Sequence, residues 1–163
     1  MKHAATADMS RTLLGHVGIT TPDLDASLAF YADVFGFRPR RPVDTIASED
    51  GRAAVFRALF GPGWAGCRMT VLAAPLGPDL ELFEFVPTIE STPAGPGDWP
   101  IAWRAPGPFH VSFPCGDVQA VADRVTAAGG TLVSDIVVTA RYELCYATDP
   151  FGTVIELQRA VSP

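Results

Sequence analysis

Alternating hydrophobic and polar residues near the start of the chain predict a half-buried β-strand followed by an amphipathic helix. Val17 and Ile19 fall on one face of an extended segment, and His16 falls on the other. Asp23 can then cap a helix, and Gly36 suits the end of it. The apolar positions of this helix are spaced by three and four residues: Leu24, Leu28, Tyr31 and Phe35.

Three further strands are predicted in the first half of the chain, so the first unit has the order βαβββ. Gly61-Pro62-Gly63 and Gly77-Pro78 provide the turns between them. The predicted strands span Val55 to Leu59, Arg68 to Ala73, and Leu80 to Val86.

The second half of the chain repeats this order. A strand is predicted over Phe109 to Phe113, and Asp117 caps a helix that Gly129-Gly130 ends. The three strands that follow span Thr131 to Val138, Glu143 to Thr148, and Thr153 to Arg159.

Four residues occupy equivalent places in the two halves. His16 and His110 are each followed seven residues later by the capping Asp and twenty residues later by a Gly. In each half a Pro-x-Gly turn then leads through three residues to a Glu, which is Glu81 in the first half and Glu156 in the second. Two copies of one supersecondary unit explain these coincidences better than chance does.

The first copy is longer than the second. Its His and Glu are 65 residues apart, against 46 in the second copy, so the extra residues must lie within 37–74. A longer loop around Phe60 to Gly66 is the natural place for them. Trp64 in that loop either reaches over a pocket or is a loop aromatic without function.

Strand alternation predicts that the two His and the two Glu face one cleft. Glu81 and Glu156 each lie between two aliphatic residues, so both carboxylates point away from the core. A lone His or Glu on a strand is more often structural, but the shared register of His16 and His110 with the carboxylates favours a divalent metal site. Glu84 is the competing carboxylate; it falls on the opposite face and has no counterpart in the second half. Such ligands suit Zn, Ni, Co, Mn or Fe alike.

Several segments resemble the vicinal oxygen chelate superfamily, which includes glyoxalase I, methylmalonyl-CoA epimerase, extradiol dioxygenases and antibiotic-resistance proteins. They are His16-Val17-Gly18-Ile19, Asp25 to Tyr31, Gly36-Phe37, Phe109-His110-Val111-Ser112-Phe113, and Asp149 to Leu157. The resemblance implies an α+β fold of two tandem βαβββ modules, which form a partly open, mostly antiparallel barrel around one metal ion. The implied ligands are His16, Glu81, His110 and Glu156, which match the glyoxalase I pattern; the epimerase commonly has Gln in place of Glu81.

This ligand set favours proton transfer next to a carbonyl, with Glu81 and Glu156 as the catalytic bases and the metal stabilising the enediolate as a Lewis acid. We therefore expect an epimerase or isomerase that acts on a small oxygen-rich keto compound, such as a keto sugar or cyclitol. Three further functions stay open: a glyoxalase I-like lyase on a thiol adduct, a non-catalytic antibiotic-binding resistance protein, and an extradiol-type dioxygenase.

Four residues are candidates for substrate binding: Phe83, Phe85, Ser112 and Tyr146. For the aromatic residues among them, core packing is the competing interpretation.

Composition narrows the class of protein and its partners. The chain has 163 residues, of which 48% are hydrophobic and 18% charged, as expected of a globular protein. Its net charge of −6 gives no general attraction for nucleic acid or anionic membranes. Three Cys without Cys-x-x-Cys spacing indicate reduced thiols. No signal peptide or membrane span is apparent, so we expect a cytoplasmic protein. The resemblance further implies a small-molecule substrate and a homodimer, and it leaves open whether the metal site forms within one chain or across the dimer.

The domain boundaries follow from the Pro and Gly content. We expect Trp99 and Trp103, which lie in a Pro/Gly-rich linker, to pack against one of the modules. The predicted segments are an N-terminal tail (1–12), a first module (13–92), the linker (93–107) and a second module (108–163).

Overall fold

The computed structural model describes residues 14–87 and 106–161, which form ten β-strands and three α-helices. None of these helices has the length and apolar character needed to cross a bilayer. The predicted tail and most of the predicted linker, with Trp99 and Trp103, lie outside the described residues, so the domain boundaries stay predictions. In chain order the elements are β1 (His16–Thr20), α1 (Leu24–Phe35), β2 (Arg38–Pro39), β3 (Asp44–Ala47), α2 (Ala53–Phe60), β4 (Gly66–Ala73), β5 (Asp79–Phe85), β6 (Val111–Pro114), α3 (Val118–Ala127), β7 (Thr131–Leu132), β8 (Val137–Val138), β9 (Tyr142–Thr148) and β10 (Val154–Ala160).

The strands form two five-stranded sheets with matching topology. The first sheet has the order β1-β5-β4-β2 with β3 also paired to β4, and the second has the order β6-β10-β9-β7 with β8 paired to β9. In each sheet the first strand of the module runs parallel to its last strand, and the other pairs are antiparallel. The predicted α+β class is confirmed, and both sheets stay open over the described residues.

The capping signals place both predicted module helices correctly. The side chain of Asp23 accepts a hydrogen bond from the Ala26 N–H at 2.9 Å, and Asp117 does the same for Ala120. Gly36 ends α1 in the left-handed region at φ 75°, where its N–H donates to the Ala32 carbonyl. Each helix therefore begins at the residue after its predicted cap.

The predicted alternation in β5 and β10 is also observed. Leu80 and Leu82 are 2% and 0% exposed, and Ile155 and Leu157 are both 0% exposed. These four side chains lie in one hydrophobic core with residues of α1 and α3. The side chain between each pair therefore points to the sheet face away from those helices.

One predicted strand is wrong, because Val55 to Leu59 lies within α2. A short apolar run without strict alternation does not distinguish a strand from a helix, and Ala and Arg within it favour the helix. Ala53 and Phe56, three residues apart, turn inward, and Ala53 is buried. The strand that completes the first module is instead β3, which pairs with β4. The extra residues of the first half lie within 37–74 as expected, but they include helix α2 rather than only the longer loop predicted around Phe60 to Gly66.

Two boundaries in the second half also differ from prediction. The strand predicted over Thr131 to Val138 is divided into β7 and β8. Between them the Val133 and Ser134 N–H groups both donate to the Tyr146 carbonyl, and Ser134 Oγ accepts from the Tyr146 N–H at 2.9 Å, which interrupts the regular ladder. His110 immediately precedes β6 rather than lying within it.

The two modules contact each other through α1. The hydroxyl of Tyr31 donates to Asp149 Oδ2 at 3.0 Å, and the ring of Phe35 stacks on that of Phe113 with centroids 4.1 Å apart. Asp149 is 2% exposed and begins the turn between β9 and β10. Burial, followed by the negative charge of Asp149, raises the pKa of Tyr31 well above its usual value, so the hydroxyl remains a donor.

Tyr31→Phe should lower the free energy of unfolding by about 1–2 kcal/mol, because a buried carboxylate loses one of its donors. Urea denaturation measures the loss. Tyr142→Phe is the matched control, since Tyr142 is 45% exposed, and it should stay within about 0.5 kcal/mol of the wild type. Equal stability of the two variants would mean that the buried hydrogen bond contributes nothing to the contact between modules.

Candidate metal centre

The first His–Glu pair lies at the edge of the first sheet. His16 begins β1, and the parallel register places Gly18 opposite Glu81 on β5. His16 Nε2 is 3.2 Å from Glu81 Oε2. The His side chain is about half exposed and the Glu side chain mostly buried, so the pair is accessible from solvent on the His side.

The second pair repeats this arrangement. His110 precedes β6, and the register places Ser112 opposite Glu156 on β10, so each His is two residues before the residue that faces its Glu. His110 Nε2 is 3.7 Å from Glu156 Oε2, and both side chains are mostly buried. His110 Nδ1 is buried and has no hydrogen-bond partner among the described residues. The repeat seen in the sequence is thus present in three dimensions.

Each pair has the separation expected of two ligands of one ion. A His nitrogen and a carboxylate oxygen that are each 2.0–2.2 Å from a metal lie roughly 3.0–3.5 Å apart. The first pair falls in this range and the second is slightly wider. Across residues 14–87 and 106–161, however, no three His, Cys, Asp or Glu side chains lie close enough to hold a metal. The structure brings the four residues into two pairs and does not bring the pairs together.

Two other carboxylates near the first pair are engaged elsewhere. Glu84 Oε2 accepts a hydrogen bond from the Leu24 N–H at 2.9 Å and contacts Arg68 Nη1 at 3.0 Å, on the side of α1. Asp79 faces His16 in the register, but it accepts two hydrogen bonds from Arg40, which lowers the pKa of the Asp79 carboxyl. Glu81 is therefore the carboxylate that contacts His16.

Tyr146 lies beside the second pair. Its ring is 5.5 Å from the ring of His110, and its hydroxyl donates to Glu156. Burial, and then the negative charge of Glu156 and this hydrogen bond, raise the pKa of Tyr146, so the hydroxyl stays protonated as a donor. Tyr146, which the sequence predicts as a substrate-binding residue, therefore contacts a carboxylate of the second pair.

Ser112, another predicted substrate-binding residue, lies on the same face as Glu156. Its Oγ accepts a hydrogen bond from Gln158 Nε2 at 2.8 Å. Gln158 is not among the residues predicted from the sequence, although its position two residues after Glu156 places it on that face by strand alternation. Phe109, whose ring is 4.3 Å from that of His110, is likewise not among them.

The first pair has different neighbours. Phe83 and Phe85, the other predicted substrate-binding residues, follow Glu81 on the same face, and their rings are nearly parallel with centroids 5.2 Å apart. Beside Glu81, a Cβ placed on Gly18 would meet no atom within 4 Å, so open space lies over this position. Trp64 stacks on Phe56 at 5.0 Å and is buried, so it packs within the module instead of reaching over an open pocket.

A cavity of about 590 Å³ lies where the two modules meet. It is lined mainly by apolar residues of β1, α1, β6 and α3, including Val17, Phe35, Val111 and Phe113. None of the four candidate ligands lines it. The cavity is therefore separate from both His–Glu pairs.

Comparison with known proteins identifies the family. The family model of the Glyoxalase/Bleomycin resistance protein/Dioxygenase superfamily matches residues 13–157. The chain belongs to this superfamily. It is the superfamily named from the sequence as vicinal oxygen chelate proteins, whose members are often metalloenzymes and commonly use a divalent metal.

Solved structures of other superfamily members share the fold. A glyoxalase family protein from Bacillus cereus is similar over 96% of this chain and 100% of its own, with 24% identity and a TM-score of 0.73. The trypanothione-dependent glyoxalase I of Leishmania major is similar over 91% of this chain and 87% of its own, with 16% identity and a TM-score of 0.61. A glyoxalase/dioxygenase from Nostoc punctiforme covers 99% of each chain at 16% identity, with a TM-score of 0.60. No curated protein matches the sequence.

Proposed function

We propose that the chain is a divalent-metal-dependent epimerase or isomerase that removes a proton next to a carbonyl group. The proposed substrate is a small oxygen-rich keto compound such as a keto sugar or a cyclitol. The observation that carries the proposal is the pair of His–Glu contacts in identical register, at 3.2 and 3.7 Å. Two imidazoles and two carboxylates fit Zn, Ni, Co, Mn or Fe as a divalent ion.

The residues divide into ligands and bases. His16, Glu81, His110 and Glu156 would hold the ion, which when bound supplies a Lewis acid next to the carbonyl oxygen. Either Glu81 or Glu156 takes the proton, and the other returns it to the same or the neighbouring carbon. Tyr146 donates to Glu156 and so keeps that carboxylate oriented.

We further propose that two copies of the chain complete the ligand set in a homodimer. The two pairs lie on different sheets, and the chain does not gather them into one group within the described residues. Strand β1 begins with His16, and strand β6 directly follows His110. Both are edge strands that pair on one side only in the described sheets. A twofold dimer would place the first pair of each copy against the second pair of the other, and so form two equal sites.

Charge pairing around the first sheet supports an uncharged substrate. Arg40 pairs with Asp79, Arg52 with Asp44 and Asp50, and Arg68 with Asp25 and Glu84. A guanidinium already held by a carboxylate is a poor anchor for a phosphate or a peptide carboxylate. Coenzyme A or glutathione would depend on such anchors, so these pairs favour a keto compound over a thiol adduct.

A glyoxalase I-like lyase is the second candidate, because structures of this fold include glyoxalase I of Leishmania major and of Zea mays. Such an enzyme would use the same ligands and return the proton to the neighbouring carbon of a thiol adduct. A non-catalytic antibiotic-binding protein and an extradiol-type dioxygenase are the third and fourth candidates. The two carboxylates argue against the dioxygenase, since a fourth protein ligand occupies a position its chemistry needs open.

Metal analysis and hydrogen exchange test the proposal. Protein purified without chelator should hold stoichiometric divalent metal. In D2O it should introduce deuterium next to the carbonyl of at least one member of a panel of keto sugars and keto cyclitols. Exchange only in the hemithioacetal of methylglyoxal and glutathione would favour the lyase, and Fe(II)-dependent oxygen uptake with a catechol would favour the dioxygenase. Absence of bound metal would refute all three enzyme hypotheses.

A further inference from the structure

Helix α2 covers part of the sheet face that carries Glu81. Phe83 and Phe85 follow Glu81 at intervals of two along β5, so all three point to one face. Both Phe side chains pack against a cluster that includes Ala53 of α2 and the buried Trp64. Helix α2 therefore lies on the side of the His16–Glu81 pair, opposite to α1.

Three rings form a continuous surface beside this pair, which we call the aromatic wall: Phe60, Phe83 and Phe85. The rings of Phe83 and Phe85 are inclined by only 3°, with centroids 5.2 Å apart. The ring of Phe60, the last residue of α2, meets them edge-on at 5.9 and 5.1 Å. These are favourable aromatic geometries, so the wall is a packed surface of defined shape.

The wall is only partly covered. Phe60 is 48% exposed, and Phe83 and Phe85 are partly buried. Open space lies over Gly18, next to Glu81 and at the near end of the wall. A molecule whose reacting end is at Glu81 can therefore extend along β5 and bury apolar surface against the rings.

We propose that the keto substrate carries, besides its oxygen-rich reacting end, a flat apolar ring, aromatic or alicyclic, which binds against the aromatic wall, and that Phe60 determines this specificity. The inference rests on the proposed function, because that function places the reacting carbonyl at Glu81. The second half of the chain contains no counterpart of α2 among its described residues. The ring therefore binds on the side of the His16–Glu81 pair, where Arg40 and Arg52 are held by carboxylates.

Two hydroxamates test this specificity without the substrate. Acetohydroxamate and benzohydroxamate both chelate a divalent ion through two neighbouring oxygens, and they differ in a methyl group against a phenyl ring. Calorimetry on the Zn-loaded wild type should give at least about tenfold tighter binding of benzohydroxamate. Phe60→Ala should reduce this preference to about twofold and leave the affinity for acetohydroxamate unchanged. Phe60→Tyr should retain the preference.

Leu59→Ala is the matched control, because Leu59 neighbours Phe60 on α2 and is 70% exposed; it should retain the wild-type preference. A metal-free readout comes from saturation-transfer NMR, in which the wild type, but not Phe60→Ala, should transfer saturation to the phenyl protons of benzohydroxamate. A preference that is absent in the wild type, or that survives in Phe60→Ala, would overturn the inference. Conversion of a dimer to a monomer by Phe60→Ala would also overturn it, by assigning the wall to a second copy.

Failure of the proposed function would give a different result. If the protein binds no metal but still transfers saturation to the phenyl ring in a Phe60-dependent manner, the wall binds a ring and the metal hypothesis is wrong. If acetohydroxamate binds to the metal-loaded protein and the phenyl ring adds nothing, the metal site stands and the ring specificity is wrong.

Discussion

Glu156→Gln should slow proton exchange next to the substrate carbonyl by about a thousandfold or more, because an amide cannot act as the base. The substitution keeps the shape of the side chain, and its amide oxygen can still accept from Tyr146. The structure should therefore persist while the proton transfer is lost. The measurement is the rate of deuterium uptake from D2O, followed by NMR, on whichever keto compound the wild type exchanges, with metal content determined on the same samples.

Glu143→Gln provides the control for this result. Glu143 lies on the neighbouring strand β9 and pairs with Arg159, away from the His–Glu contacts. Its replacement should change the exchange rate by less than about twofold. Wild-type exchange in Glu156→Gln would exclude Glu156 as an essential base. Lost exchange together with lost metal would assign it to metal binding, so the metal measurement separates the two roles.

Mixing two inactive variants should restore metal binding if the site is shared between copies. One variant carries His16→Ala and Glu81→Ala, and the other carries His110→Ala and Glu156→Ala. Each homodimer then retains only half of every ligand set and should bind no stoichiometric metal. In a mixed dimer one site combines an intact first pair with an intact second pair, while the other site has no ligands left.

Random exchange of subunits makes about half of the dimers mixed, and each mixed dimer has one intact site out of two. The mixture should therefore bind about a quarter of the metal that the wild type binds, and it should recover about a quarter of the wild-type activity. Co-expression with two different affinity tags would isolate the mixed dimers, which should bind about one ion each. If the mixture stays free of metal although mixed dimers form, the site is not shared. Restoration is specific to a shared site, because a site within one chain would be damaged in both variants.

Local patterns in the sequence were sufficient to predict the duplicated framework. The Asp caps and apolar spacing located α1 and α3, and alternation around Glu81 and Glu156 predicted which side of each sheet the carboxylates face. Register also separated Glu81 from Glu84, and in the structure Glu84 lies on the side of α1 and contacts Arg68. These features depend on residues a few positions apart, which is the range over which periodicity carries information.

Features that depend on distant segments were not predicted. The run from Val55 to Leu59 was mistaken for a strand because its short apolar pattern fits either state, and packing on Phe83 and Phe85 favours the helix. Tyr31 is predicted only as an apolar position of the first helix, and nothing in the sequence indicates that its hydroxyl meets Asp149, 118 residues later. Alternation predicts the sheet face to which the side chains of each His–Glu pair point. The distance between the two pairs depends instead on how the modules associate.

The residues that face the two carboxylates across the ladder are not alike: Gly18 lies opposite Glu81 and leaves open space, whereas Ser112 lies opposite Glu156 and carries a hydroxyl. A centre that joins one pair of each kind therefore has two chemically distinct ends. We expect a bound molecule to be accommodated in a single orientation, with its bulk over the glycine and a polar group toward the serine. The difference between Gly18 and Ser112, which reflects the divergence of two copies of an ancestral module, would then determine which configuration the site accepts at the reacting carbon.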